Sequence, residues 1–177
     1  MSDGSLNDRD ADRIAQWVRE HGRAVRGYLM GIVRRPDVAD DLTQEVFWRA
    51  WRSRERYREA GTPRAYLLKI ADRLAWDHGR VARREVHLDD ETWSQFEPAS
   101  GLAGPADQAE WSEAEQALSD ALADLSPVQR RVVLLRYYGG LEFSEIARQC
   151  GSPLGTVLSH CHRGLHALRK LLSGKNP

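Results

Sequence analysis

Residues 141–172 read LEFSEIARQCGSPLGTVLSHCHRGLHALRKLL, and the reading of this stretch decides the organisation of the chain. Glu142 to Cys150 has the length of a short helix, Gly151 supplies a stop, and Ser152-Pro153 opens a longer helix that runs to about Leu172. Two helices joined by so small a turn make a helix-turn-helix. Projected at about 100° per residue, Leu154, Val157, Cys161, Leu165, Leu168 and Leu172 share the face expected to turn inward. The opposite face carries Thr156, Ser159, Arg163, His166 and Lys170, flanked by His160 and His162. Such a helix can lie in the major groove of duplex DNA with its first two turns at base edges. Arginine can bridge a guanine there, while serine and threonine read less selectively. An ordinary helical hairpin has the same outline, but the small turn and the polar outer face favour DNA.

Working back from this motif, every segment repeats with helical period. Ser126-Pro127-Val128-Gln129 is a capping box that starts a helix ending at Gly139-Gly140. Before it, Trp111, Ala114, Leu118, Ala121, Leu122 and Leu125 mark another helix. In the first half, Ile14, Trp17, Val18, Val25, Tyr28, Leu29 and Ile32 predict an amphipathic helix over 12–34. Arg35-Pro36-Asp37 breaks it, with Asp37 placed as the N-cap of a second helix to about Arg54 whose inner stripe is Val38, Leu42, Val46 and Ala50. After the turn signal Ala60–Pro63, a third helix runs from about Arg64 to Arg84 with Leu67, Ile70, Ala71 and Leu74 inward. No segment alternates with period two. The expected fold is all-α: two small helical domains, 12–84 and 110–173, the second containing the helix-turn-helix, joined by an acidic linker over 85–109. That linker holds the proline- and glycine-rich stretch Glu97–Pro105, and its Trp93 and Phe96 suggest a segment that docks on something.

The formal net charge is zero, yet the charges are segregated. Residues 1–84 carry 18 Lys and Arg against 13 Asp and Glu; residues 85–126 carry 11 acidic residues and no basic one; residues 127–177 carry 8 basic against 2 acidic. Two basic segments around an acidic one suit two binding modules for a polyanion, although charge blocks also serve as solvated faces. In 177 residues no apolar run approaches the roughly 20 needed to span a bilayer. The polar start Met1–Asp8 has no signal-peptide character, and two cysteines are too few for a disulfide scaffold, so a cytoplasmic protein is expected. Cys150, His160, Cys161 and His162 lack the paired spacing of a zinc site, and Cys161 falls on the inner stripe, so no metal and no cofactor is expected. Neither a glycine-rich phosphate loop nor a nucleophile elbow is present, and the carboxylates Asp40, Asp41 and Glu45 suit a partner better than acid–base work, so the chain does not read as an enzyme.

Several of these segments resemble one family. Asp41-Leu42-Thr43-Gln44-Glu45-Val46-Phe47-Trp48-Arg49-Ala50-Trp51 is similar to the D-L-x-Q-E-x-F-x-x-A-W signature of bacterial extracytoplasmic-function (ECF) sigma factors. Arg64–Ala71 with Leu74–His78 resembles its R-A-W-L-x-x-I-A-x-N-x-x-x-D; Leu125–Arg130 matches L-x-x-x-Q-R; Gly140-Leu141 with Glu145-Ile146-Ala147, and Gly155-Thr156-Val157 with Ser159, match the remaining motifs in order. The resemblance covers about residues 12–172.

It implies a promoter-specificity subunit of core RNA polymerase. The first domain would dock on the polymerase clamp through Asp41, Gln44, Glu45 and Arg49 and open promoter DNA at the −10 element. Opening would fall to the loop Tyr57–Pro63, with Tyr57 stacking on a flipped base, and to Lys69, Arg73, Arg80, Arg83 and Arg84. The last domain would read the −35 element through Thr156, Ser159, His160, Arg163 and Lys170, and the acidic linker would enter the polymerase channel. An anti-sigma factor is an expected partner. The chain departs from the family at Leu158, often lysine, and at His160, usually arginine, which removes or weakens two phosphate contacts; Arg73 replaces an asparagine and Tyr66 a tryptophan, so the family's −10 preference does not carry over. The alternative is a helix-turn-helix regulator that binds duplex DNA without polymerase, its front domain serving for dimerisation. A protein-interaction adaptor, such as a sigma-sequestering partner, fits two basic domains least well.

Overall fold

The computed structural model describes residues 4–54, 62–84 and 113–173, with side chains described for 10–54, 62–79 and 113–173. Every regular element among them is helical: α1 Gly4–Val33, α2 Pro36–Arg52, α3 Pro63–Arg84, α4 Glu113–Ala123, α5 Pro127–Tyr137, α6 Phe143–Cys150 and α7 Leu154–Ser173. The helix starts show which local signal wins. Pro36, not Asp37, opens α2, because proline is pre-set for the first helical position; Arg35 becomes the N-cap and its guanidinium binds Asp37 at 2.5 Å. That hydrogen bond, with a further one from the Val38 backbone, holds the Asp37 carboxyl below its ordinary range. Ser126 caps α5 as expected, its Oγ accepting from the Gln129 N–H at 3.4 Å. Glu142 and Glu145 form a reciprocal capping box at the start of α6, and Gly151, at φ 62°, ends that helix in the left-handed region that glycine occupies without strain.

α1, α2 and α3 pack on one another around Val25, Leu29, Val46, Ala50, Leu67 and Ala71, and α4 to α7 pack around Val132, Leu135, Leu141, Ile146, Val157 and Cys161. Three stripe assignments are corrected. Val18, Leu154 and Leu172 are 45%, 46% and 37% exposed: Val18 lies on α1 and borders the groove shared with α2, and the two leucines sit in the first and last turns of α7. Gly164 of α7 is buried because a Cβ there would meet Val133 of α5 at 2.9 Å, so glycine permits the close crossing of the two helices. Arg130 is buried with its charge satisfied locally. Its Nε donates to the Leu122 carbonyl at 2.7 Å and its Nη2 to that of Ala123 at 2.6 Å, which closes the C-terminus of α4 with a cation where the helix dipole favours one.

The two groups of helices share a continuous core. Gly27 and Gly31, one turn apart on α1, form a notch that receives Tyr138, just past α5, and Leu134 of α5; a Cβ at either glycine would lie 2.6 Å from the incoming side chain. Beside the notch, Asp72 of α3 is 4% exposed and accepts hydrogen bonds from Tyr28 (2.5 Å), Trp76 (3.1 Å) and both ends of the Arg131 guanidinium. At the far end of α1, Arg34 reaches Ser119 at 3.3 Å and Asp120 at 3.2 Å. Gln149 donates to the Leu68 carbonyl at 3.4 Å, and Gly139 packs against the Leu68 side chain.

Candidate nucleic-acid interface

On α7 the structure brings Thr156, Ser159, Arg163 and Lys170 to the exposed side, with His162 and His166 beside them. Val157, Cys161, Gly164 and Leu168 anchor the opposite side to α5 and α6. The helix is therefore fixed from behind and free in front, the mounting a groove-reading helix needs. His160 departs from its expected place. It is half-buried, its Nδ1 is enclosed without a hydrogen-bond partner, and burial together with the neighbouring Arg163 charge lowers its pKa below the ordinary value. A neutral imidazole there offers no charge to a phosphate. Burial pushes the Cys161 thiol up, so it fills the core as a small apolar group.

On α3, Lys69 and Arg73 are exposed one turn apart, while Leu68, Ala71, Asp72 and Ala75 face the packed side. The contact between the two groups of helices thus leaves both candidate DNA faces at the surface. Tyr57 lies outside the described residues, as do the side chains of Arg80, Arg83 and Arg84, the linker with Trp93 and Phe96, and Trp111.

On α2, Asp41, Gln44 and Arg49 are exposed, and Glu45 is half-exposed with its carboxylate 2.6 Å from Arg49 Nε. Asp40 is bound by Arg26 of α1 at 2.5 Å and 3.2 Å, so the acidic cluster is divided among partners. Sequence reasoning missed the neighbour of this face. Trp48, 55% exposed, continues the Asp41-Gln44-Glu45 line by one turn and borders a groove of about 820 Å³ between α1 and α2, with Val18, Phe47 and Trp51 in its wall and Arg23 and Gln44 among its polar lining. The signal was in the sequence: position 48 shares a helical face with 41, 44 and 45, and a large apolar side chain there has no core to enter.

These features agree with comparisons to known proteins. The family model Sigma-70 region 2 matches residues 17–85, and Sigma-70, region 4 matches residues 115–168. An ECF RNA polymerase sigma factor SigK of Mycobacterium bovis (strain BCG / Pasteur 1173P2) is 31% identical over 168 residues, covering 92% of this chain and 87% of the relative. The chain belongs to the ECF sigma factor family. A SigK of Mycobacterium sp. (strain KMS) is 29% identical over 173 residues, covering 93% of this chain and 86% of its own length. The fold is that of solved sigma factors. RpoE from Bartonella quintana, in complex with the anti-sigma factor NepR, superposes with a TM-score of 0.70 at 22% identity, over 92% of this chain and 98% of that one. CnrH, in complex with the cytosolic domain of CnrY, gives 0.67 at 21% identity, over 99% of this chain and 100% of that one.

This sigma factor thus binds core RNA polymerase and promoter DNA and directs transcription initiation, and the polymerase-independent regulator is not favoured. No helix among its described residues is long and apolar enough to cross a membrane.

Proposed function

We propose that the sigma factor engages polymerase through α2 and promoter DNA through α3 and α7. Residues 12–84 form the unit for the clamp and the −10 element, residues 110–173 the unit for the −35 element, and the acidic residues 85–109 the connection that enters the polymerase channel. The observation that carries this reading is the exposed polar side of α7, fixed from behind by Val157, Cys161 and Leu168. The clamp contact takes Asp41, Gln44, Glu45 and Arg49, with Trp48 and Val18 adding the apolar area that the charges alone lack. Lys69 and Arg73 supply charge along the opened strand, joined by Arg80, Arg83, Arg84 and the stacking ring of Tyr57. The protein works in the cell interior, where polymerase and promoters are, and supplies specificity without catalysis of its own. An anti-sigma factor is its expected regulator, since the solved relatives RpoE and CnrH are held by NepR and CnrY.

Reading both elements requires the two units to part. The −10 and −35 elements lie about 25 base pairs apart, on the order of 85 Å at 3.4 Å per step. A compact chain of this length averages about 40 Å across, by the scaling of radius of gyration with length. Its longest helix, α1, spans about 45 Å at 1.5 Å per residue, still well short of the distance between the elements. The test is promoter-dependent transcription with and without added core polymerase. A sigma factor gives promoter-specific initiation only with the core enzyme, and specific duplex binding by the chain alone at the same salt overturns the reading.

A further inference from the structure

The first two turns of α7 hold, besides the polar readers, an apolar pair. Leu154 and Leu158 are 46% and 43% exposed, stand one turn apart on one side of the helix, and belong to no part of the core. Gly155, beside Leu158 on the helix surface, is exposed, with open space where a Cβ would stand. Leu158 directly precedes Ser159 and sits one turn before His162, both exposed, which makes the apolar pair continuous with the polar reading face. A leucine can neither hydrogen-bond a base edge nor neutralise a phosphate. In the major groove the C5-methyl of thymine is the apolar feature that distinguishes one base pair from another.

We propose that Leu158, backed by Leu154, reads thymine in the upstream promoter element by packing on its C5-methyl group. The inference rests on the assignment of α7 to that element and adds what the helix selects there. A side chain whose outer half is exposed in the free protein gains a partner without disturbing the core, and Gly155 leaves room for the duplex to come close. Covering one methyl group strengthens binding by about four-fold.

The experiment starts from duplexes with a randomised upstream region, selected by the full chain together with core polymerase. The selected duplex is then remade with deoxyuridine in place of each upstream thymine in turn, which removes the methyl group and nothing else. Wild-type protein is expected to lose about four-fold in open-complex formation at one or two of these positions. Leu158→Ala is expected to treat thymine and uracil alike there, while Leu158→Met, which keeps an apolar tip, retains the preference. Thermal unfolding midpoints equal to wild type show that the variants are folded. Indifference of the wild type to uracil at every upstream position overturns the inference, and so does an unchanged thymine preference in Leu158→Ala. Loss of polymerase capture by Leu158→Ala without DNA also overturns it, because the pair then meets a protein. Failure of the underlying reading looks different: scrambling the whole upstream element leaves initiation unchanged. With that reading intact, scrambling lowers initiation whatever uracil does.

Discussion

Arg131 and Asp72, 59 positions apart in sequence, form a two-point ion pair between α5 and α3, and the Asp72 carboxylate also receives Tyr28 and Trp76. Burial works against the charge of Arg131, but the charge and hydrogen bonds of Asp72 outweigh it and raise its pKa. Burial and the adjacent carboxylate likewise push the Tyr28 phenol well above its ordinary value, so it stays a donor. Removing one member of a buried pair strands the other. Asp72→Ala is expected to cost about 3 kcal/mol of unfolding free energy, and Tyr28→Phe about 1.5 kcal/mol for one bond to a charged acceptor. Urea denaturation of Asp72→Ala, Arg131→Ala and the double variant checks this. Strict additivity in that cycle refutes the coupling.

Asp41 is the cleaner of the two carboxylates for testing the polymerase contact, because Glu45 is already engaged by Arg49. Asp41→Lys is expected to abolish co-purification with core polymerase while stability changes by no more than about 0.5 kcal/mol, as for surface substitutions generally. Trp48→Ala is expected to weaken the same association without a change in salt dependence, since it removes apolar area alone. Recovery of polymerase at wild-type yield with Asp41→Lys refutes the contact.

Arg163 and Lys170 share the exposed side of α7 but are expected to act differently. Arg163→Ala should lose about 1–3 kcal/mol of discrimination at one base pair of the upstream element. Lys170→Ala, nearer the helix end, should weaken all sequences alike and lower the salt slope by about one. Binding measured on single-base variants of the element over a salt series separates the two. A uniform loss in Arg163→Ala makes it a backbone contact.

His21 gives the stability a pH dependence. Burial and the nearby Arg64 charge lower its pKa, against the smaller opposing pull of Glu20. The unfolded chain therefore takes up a proton that the folded protein refuses. Stability from this source is complete above the ordinary histidine value of 6.5 and is lost progressively as pH falls below it. His160 adds in the same direction. His21→Gln is expected to flatten the fall in unfolding free energy between about pH 7 and 5, followed by urea titration at each pH. An unaltered slope refutes the assignment.

The helices and most of their inner faces were legible in sequence because period and capping are local properties. Trp17, Tyr28, Val46 and Leu67 fell where their spacing put them. Asp72 was not legible: an aspartate on a helix reads as surface, and the arginine that neutralises it comes from another helix far along the chain. Arg130 belonged to a recognisable motif, but its use as a plug for the α4 carbonyls depends on where α4 ends. The exposed polar side of α7 was visible from helical projection, whereas Leu154 was assigned inward because projection takes no account of what neighbours the first turn has. His160, expected at the flank of the polar face, is half-buried with an enclosed Nδ1, which projection of the helix alone does not show.

The glycine pair on α1 reaches beyond packing. If the two units engage the two promoter elements as proposed, parting them withdraws Leu134 and Tyr138 from the Gly27–Gly31 notch. Only the fraction of molecules that have done so can bind productively, and the apparent affinity falls by that fraction. If closed molecules outnumber open ones a hundred to one, a promoter responds to roughly a hundred-fold more protein than its own contacts demand. With such a ratio, the fit of two side chains into two missing ones would act as a threshold on gene expression, set far from the residues proposed to touch DNA.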